Sequence, residues 1–467
     1  MKEFKIKPKA FYSYVRRKQK VKVGISQLRK EDGKLTETDQ EAAEELSQFF
    51  QSVFTKEPQG DTPELDNQIP NELKDVEFTR EDVAKELNKL SPDKSPGPDK
   101  FHPRVLKECS QELSLPLFII FRKSLDSGIL PEDWKTARVI PIFKKGSKSK
   151  PGNYRPVSLT CIPCKIMETI IKNRLLKHIE DNSALSEKQH GFMKGKSCLT
   201  NLLETLEEIT CDLDHGNAVD VIFLDYAKAF DSVPHLRLLN KLKAYGCDEK
   251  VLNWIKGFLI GRTQTVSVRN SSSAKADVVS GVPQGSVLRP MLFILYINDL
   301  PNHVKSSIQM FADDTKIFTT VNTPQDLSKL QEDLSALQKW SEKWLLRFNA
   351  DKCKTMHFGT SNLNGVYNMS DKNLQKIDQE KDLGVFITND CKPSIQCTKA
   401  SQKAMNSLRV IKRTFKYITI DSFTILYKTY IRPHLEYCVQ AWNPGLKKGH
   451  PLIGKNSKKS HQTCACN

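Results

Sequence analysis

No apolar run in this chain approaches the roughly 18 residues that a membrane span requires. The longest, Leu115 to Phe121 and Met291 to Ile297, are core-sized. The basic N-terminus, MKEFKIKPKAFYSYVRRKQKVK, lacks the apolar segment of a secretory signal. Nor do the cysteines form a framework. Twelve are scattered over 467 residues, and without a signal they read as reduced thiols of an intracellular protein, cytoplasmic or nuclear. Cys161 and Cys164 make one C-x-x-C with no second pair, and His461, Cys464 and Cys466 in the tail are one ligand short of a structural zinc. The first pair therefore reads as ordinary packing. No internal repeat is visible. A membrane protein and a secreted scaffold are largely excluded.

What the chain has in excess is positive charge. Lys+Arg 72 against Asp+Glu 55 gives a formal net charge of +17 and a pI near 9.2. Hydrophobic content of 38% and charged content of 27% fit a globular chain rather than a disordered one. At roughly 150 residues per domain the length suggests about three units. Charge alone leaves a surplus-lysine surface and a polyanion track equally open. Three separated basic clusters, Arg16 to Lys22, Lys144 to Lys150 and Lys399 to Lys416, favour a long ligand crossing several units.

Periodicity and breakers predict helices over Asp39–Phe54, around Pro103–Ser127, Pro163–Asp181, Cys198–Leu213, Leu236–Ile260, Ser286–Leu300, Pro324–Phe348 and Lys399–Tyr417. Pro/Gly breaks fall at Lys94–Lys100 and Lys150–Tyr154. Strands are expected at Ala137–Phe143 and Val219–Leu224, as a pair within Thr263–Val279 and as a hairpin over Ile308–Thr320. Two more are expected at Thr355–Phe358 and near Gly384–Thr388. Strands and helices interleave without the regular alternation of a doubly wound sheet, which indicates α+β.

The carboxylates carry the chemical signal. Asp225 ends the apolar strand VDVIFL, and Asp313-Asp314 sit at the bend of a hairpin with apolar arms. Adjacent acids in such text are costly unless exposed or neutralised by cations. If the strands neighbour each other in one antiparallel sheet, Asp225 and Asp313 converge into a set suited to two Mg²⁺ ions about 4 Å apart, as in phosphoryl transfer. The plainer reading is an Asp-Asp turn. Asp231 reads as a cap of the following helix. Phe230 would flank a nucleotide bound over the acids, or pack in the core. The turn SGVPQG allows close backbone approach, with Gln284 able both to donate and to accept.

VIFLDYAKAFDSV (Val221 to Val233), SGVPQGSVLRPMLFILYINDL (Ser280 to Leu300) and MFADDTKIF (Met310 to Phe318) occur in this order with NYRPVSLT (Asn153 to Thr160) and QHGFMKGKSC (Gln189 to Cys198). This set, over roughly residues 90 to 445, resembles the reverse transcriptase of non-LTR (LINE-type) retrotransposons of the jockey/CR1 kind. The resemblance implies a right hand of fingers, palm and thumb with an antiparallel palm sheet. It divides the chain into a mostly helical connector (1–85), fingers and palm (86–390, core about 124–388), a thumb-like basic helical region (391–446) and an aberrant tail (447–467). It implies an RNA-directed DNA polymerase that joins dNTPs to a DNA primer on an RNA template. Asp225, Asp313 and Asp314 would be both catalytic and metal ligands, Asp314 the least direct, for two Mg²⁺ ions with Mn²⁺ as the alternative.

By the same resemblance Phe230 stands at the steric-gate position opposite a ribose 2′-OH. Gln284 and Gly285 would line the nucleotide pocket, and Lys144 or Lys145 together with Arg155 would face the triphosphate. Lys352 is the candidate for protonating pyrophosphate, with Lys354 close enough to compete. Leu383-Gly384 matches the primer-grip turn, and the helix from Lys399 would track phosphates.

Three departures stand out. Arg289 replaces the glycine usual in GSVLGP, and a large cation there is expected to crowd the nucleotide, so that Arg289→Gly raises activity. No endonuclease or ribonuclease H region is read in this chain. A catalytically impaired remnant that only binds nucleic acid is the alternative; a nucleotide cyclase leaves the basic charge and the fingers-like segments unexplained. After Lys448 the text GKNSKKSHQTC is what codons for a continuation such as EKIQKRATKL give when read one base out of frame. Sequencing the gene should reveal a family continuation in a neighbouring frame, and its absence would refute the frameshift.

Overall fold

The computed structural model describes residues 11–12, 14–15, 25 and 27–443, apart from 59, 61, 67, 74, 75 and 416. The basic cluster Arg16–Lys22, Lys416, and the tail from 447 with His461, Cys464 and Cys466 lie outside the described residues.

Two sheets organise the molecule. β1 (Thr136–Phe143), β2 (Tyr154–Leu159), β4 (Arg262–Val268), β5 (Ser271–Ser272) and β6 (Ala276–Val278) make the first, with β1 between β2 and β4 and with β6 added to β4. The second contains β3 (Val219–Leu224), β7 (Ser307–Phe311), β8 (Asp314–Thr320), β9 (Lys354–Phe358) and β12 (Gln375–Lys376), ordered β12-β9-β3-β8-β7. Its pairs are antiparallel except the parallel β12–β9 pair, so the expected antiparallel sheet carries one mixed edge. Two short ribbons, β10 (Asn368–Met369) with β11 (Lys372–Asn373) and β13 (Gln379–Asp382) with β14 (Val385–Thr388), complete an α+β fold.

β3 is central because nearly all its residues are buried. Val219 and Val221 join a core with Leu202, Ile209 and Phe318, whereas Ile222 and Leu224 face the larger core of the helices Ile162–Asp181, Arg289–Ile297 and Pro324–Trp344. Alternation of side chains along the strand produces this two-sided burial. Asp220 falls on the second face, fully buried, and accepts from Tyr367 Oη at 2.6 Å and Asn362 Nδ2 at 2.8 Å, with His357 Nδ1 at 2.7 Å.

Several expected helices are shorter or broken, for local reasons. The segment from Pro103 divides at Cys109 into Pro103–Glu108 and Ser110–Ser127. The one from Leu236 divides into His235–Ala244 and Glu249–Leu259. Gly246 turns between them at φ +76°, and Asp248 caps the second helix through Val251 N. In Pro324–Trp344, Thr323 and Asp326 form the start, but Leu345 at φ +53° ends the helix before Phe348. The basic helix runs Ser394–Thr414 and packs with Phe423, Tyr430 and the N-terminal Phe11, whose ring stacks on Tyr430 at 4.0 Å. Cys161 and Cys164 are buried in the large core. Among the described residues no helix is long and apolar enough to cross a membrane.

One buried charge pair joins three of these elements. Lys241 donates to the Asp299 carboxylate and to Tyr296 O. Its Nζ lies 3.9 Å from the Trp344 ring centroid, 4.9 Å from Trp340 and 5.0 Å from Tyr296. Removing one partner of such a pair leaves an uncompensated buried charge, at a cost of about 3–5 kcal/mol. Lys241→Met should therefore lower the apparent melting midpoint sharply, and Lys241→Met/Asp299→Leu should regain much of the loss. An unchanged midpoint in the single variant would show that the pair contributes nothing.

Candidate active site

Phe311 pairs with Asp314 across the β7–β8 ladder, which leaves only Ala312 and Asp313 to turn the chain. Ala312 adopts φ +53°, a conformation that costs a residue with a Cβ. The segment Gln189-His190-Gly191 holds it there. Gln189 Oε1 accepts from Ala312 N at 2.9 Å and from Gly191 N at 2.7 Å. Met310 N donates to Lys188 O and His190 N donates to Met310 O, each at 2.9 Å. Gly191 comes so close that an added Cβ would stand 2.4 Å from Ala312 N. His190, fully buried, lies 2.8 Å from Thr200 Oγ1 through Nδ1 and 3.2 Å from Glu204 Oε2 through Nε2.

Register carries Asp225 to the same edge, because Leu224 pairs with Thr315 directly beside the turn. Asp225 O accepts from Asn349 N at 2.7 Å, which ties the end of β3 to the chain ahead of β9. Its side chain is 45% exposed and its Oδ1 accepts from Lys352 Nζ at 2.9 Å. Lys354 turns instead to Glu380 Oε2 at 2.6 Å, so Lys352 is the lysine that the fold brings to the acids. Burial raises the Asp313 carboxyl, and the negative charge of Asp225 adds to the effect. Asp314 is pushed up to about 6 by burial, then by Asp313, Asp382 and Asp225.

Cations face these acids. Burial lowers Lys144, and the neighbouring charges of Arg155, Lys145 and Lys352 lower it further, against the pull of Asp225. Lys145, Asp225, Asp314 and Lys352 border a single cavity of about 590 Å³ that reaches Leu383 and Gly384 in the β13–β14 turn. Lys316 and Asp382 also border it, and their buried ion pair fastens β8 to β13.

The other expected binding residues gather elsewhere. Gln284 and Asp231 border a second cavity of about 40 Å³ beneath Phe49 and Phe50 of the helix Asp39–Ser52, apart from the cavity of Asp225. Gln284 O accepts from Ser158 N at 2.7 Å. Gly285 has φ +118°, and a Cβ there would meet Ser158 O at 2.5 Å. The glycine is thus demanded by close approach to β2. Phe230 is half-buried against Phe293, ring centroids 4.2 Å apart.

One expectation needs correction. Asp231 does not cap the next helix, where Pro234 occupies the N-cap; its Oδ1 lies 3.4 Å from the Arg289 guanidinium. Arg289 donates to Val282 O at 2.7 Å and covers the Phe230 ring at 4.4 Å, and its charge pulls the Asp313 carboxyl down against the effect of burial.

Sequence reasoning missed Gln189, Glu168 and the Lys316–Asp382 pair. Glu168 is fully buried and accepts from Val287 N at 2.6 Å and Leu288 N at 3.1 Å, which fixes the loop that precedes the helix Arg289–Ile297. Its signal was an acid inside the apolar text KIMETII.

Among the described residues no three acidic, His or Cys side chains form a ready-made metal cage. The donor set nevertheless suits a hard divalent cation. All three side chains offer carboxylate oxygens, two are raised by burial and by neighbouring carboxylates, and such ions complete their shells with water and substrate phosphates.

A family model described as reverse transcriptase (RNA-dependent DNA polymerase) matches residues 142–419, more than half of the chain. The chain is 31% identical over 386 residues to the RNA-directed DNA polymerase from mobile element jockey of Drosophila melanogaster, covering 79% of this chain and 42% of the relative. It is 28% identical over 426 residues to the probable RNA-directed DNA polymerase from transposon BS of the same organism, covering 86% and 46%. A more distant relative is the Pol polyprotein from the type-2 retrotransposable element R2DM, 26% identical over 294 residues, covering 60% and 26%. The chain thus spans less than half the length of these curated relatives. With the ordered motifs, the acid turn and these matches in agreement, the chain belongs to the reverse transcriptase (RNA-dependent DNA polymerase) family, in its LINE-type, non-LTR retrotransposon branch.

Proposed function

We propose that this chain is an RNA-directed DNA polymerase that extends a DNA primer with dNTPs on an RNA template. One observation supports the reading above the rest: Asp225 and the Asp313-Asp314 turn converge on one sheet edge, opposite Lys144, Lys145, Arg155 and Lys352. In this reading the sheet β12-β9-β3-β8-β7 is the palm and the sheet around β1 belongs to the fingers. The helices from Ser394 form the thumb, within 391–446, and residues 1–85 are the connector.

Asp225 and Asp313 would hold two Mg²⁺ ions, with Asp314 less direct. When bound, such ions activate an attacking oxygen and stabilise the leaving one. The protein's own groups do the rest. Lys144 or Lys145 and Arg155 bind the triphosphate, Lys352 delivers a proton to pyrophosphate, and Phe230 opposes a 2′-OH. Leu383-Gly384 borders the cavity where the primer end would lie. The net charge of +17 supplies sequence-independent attraction for template and primer.

Primer extension on an RNA template with Mg²⁺ tests the reading. Asp313→Asn should lower the rate at least ~100-fold, equivalent to about 2.7 kcal/mol, while RNA binding persists. Equal extension by both proteins would overturn the assignment of Asp313. RNA binding without extension in either protein would support the binding-only remnant.

The Gln189 clamp generates a second expectation. Gly191→Ala places a Cβ against Ala312 N and must displace the acid turn. A displacement near 1 Å costs about 100-fold in rate. Extension at the unmodified rate, measured in the same assay, would show that the clamp does not position the acids.

A further inference from the structure

Phe230 is held by two residues of one helix. Arg289 opens the helix Arg289–Ile297, and Phe293 follows one turn later on the same side. The Phe293 ring stacks on Phe230 at 4.2 Å and 29°, and the Arg289 guanidinium lies 4.4 Å from the Phe230 centroid. The guanidinium is itself held. Nη1 donates to Val282 O at 2.7 Å, both terminal nitrogens lie 3.4 Å from Asp231 Oδ1, and Val282 N donates to Phe230 O at 3.0 Å. A closed circuit therefore runs from the Phe230 backbone through Val282 and Arg289 to the Phe230 ring, with Asp231, the next residue, anchoring the cation.

We propose that Arg289 is a positioning residue that fixes the tilt and depth of the Phe230 ring and thereby sets how strongly the enzyme selects deoxynucleotides over ribonucleotides. This rests on the placement of Phe230 opposite the sugar in the proposed function. A ring can exclude a single hydroxyl only if it cannot swing aside. Phe293 and Arg289 both pack on it, which restricts that swing. Glycine at 289 would remove one of the two contacts and leave the Asp231 carboxylate without the Arg289 cation. Lysine would keep a charge for Asp231 but lose the flat group that covers the ring.

The test is the ratio of kcat/KM for a dNTP to that for the matching rNTP in primer extension, for the unmodified chain, Phe230→Val, Arg289→Gly and Arg289→Lys. Phe230→Val should lower the ratio about 100-fold, and each Arg289 variant should lower it about 10-fold through better use of the rNTP. Arg289→Lys keeps the experiment decisive if the glycine variant fails to fold. A reduced ratio in Phe230→Val with an unchanged ratio in the folded Arg289 variants would overturn the buttress and leave the placement of Phe230 intact. An unchanged ratio in Phe230→Val would overturn that placement, and the inference with it.

Discussion

The left-handed backbone at Ala312 is the constraint from which the acid site follows. Strand pairing up to Phe311 and Asp314 leaves two residues for the turn, which calls for a positive φ that alanine adopts only at a cost. Gln189 Oε1 compensates by accepting from Ala312 N, and it does so only because Gly191 lets the two segments touch. One side-chain carbonyl thereby aligns both neighbouring carboxylates. β3 then needs only its register with β8 to bring Asp225 alongside.

Charge in this region is balanced by opposition between acids and cations as well as by solvent. Asp313 is pushed toward the neutral form by burial and Asp225, Asp314 by burial and Asp313, and Lys144 is pushed the same way by burial and by its cationic neighbours. Each group is least comfortable when its counterpart is absent. A ligand that carries phosphate oxygens and hard cations together supplies what both sides lack. The Lys352–Asp225 contact is a partial version of that exchange within the protein.

Local signals were read well and long-range ones were not. VDVIFL showed both ends of β3 because β-branched text and the acid that stops it are adjacent in sequence. Thr323 and Pro324 announced the start of their helix, but Leu345 ends it in a left-handed turn without the glycine or asparagine that usually marks one. Asp231 followed the local logic of a cap, yet Arg289, remote in sequence, claimed its carboxylate. The three catalytic candidates were legible because each stands at an end or bend of apolar strand text. Gln189, Glu168 and Lys316 act through partners on other elements, and no window of text contains both halves.

The stacking of Phe11 on Tyr430 has a consequence for how the chain is made. Aromatic residues made near the start of synthesis are held against almost the last of the described helices, beside Leu408 and Phe423. At about 5–20 residues per second, synthesis separates the two by tens of seconds at least. Until the segment from Ala404 is made, Phe11 and Val15 have no native cover, although the central sheet already contains all its strands by Lys376. Birth order and burial order are inverted at this end of the molecule, so a ribosome that stalls between Lys376 and Ala404 leaves an assembled sheet with an exposed aromatic N-terminus.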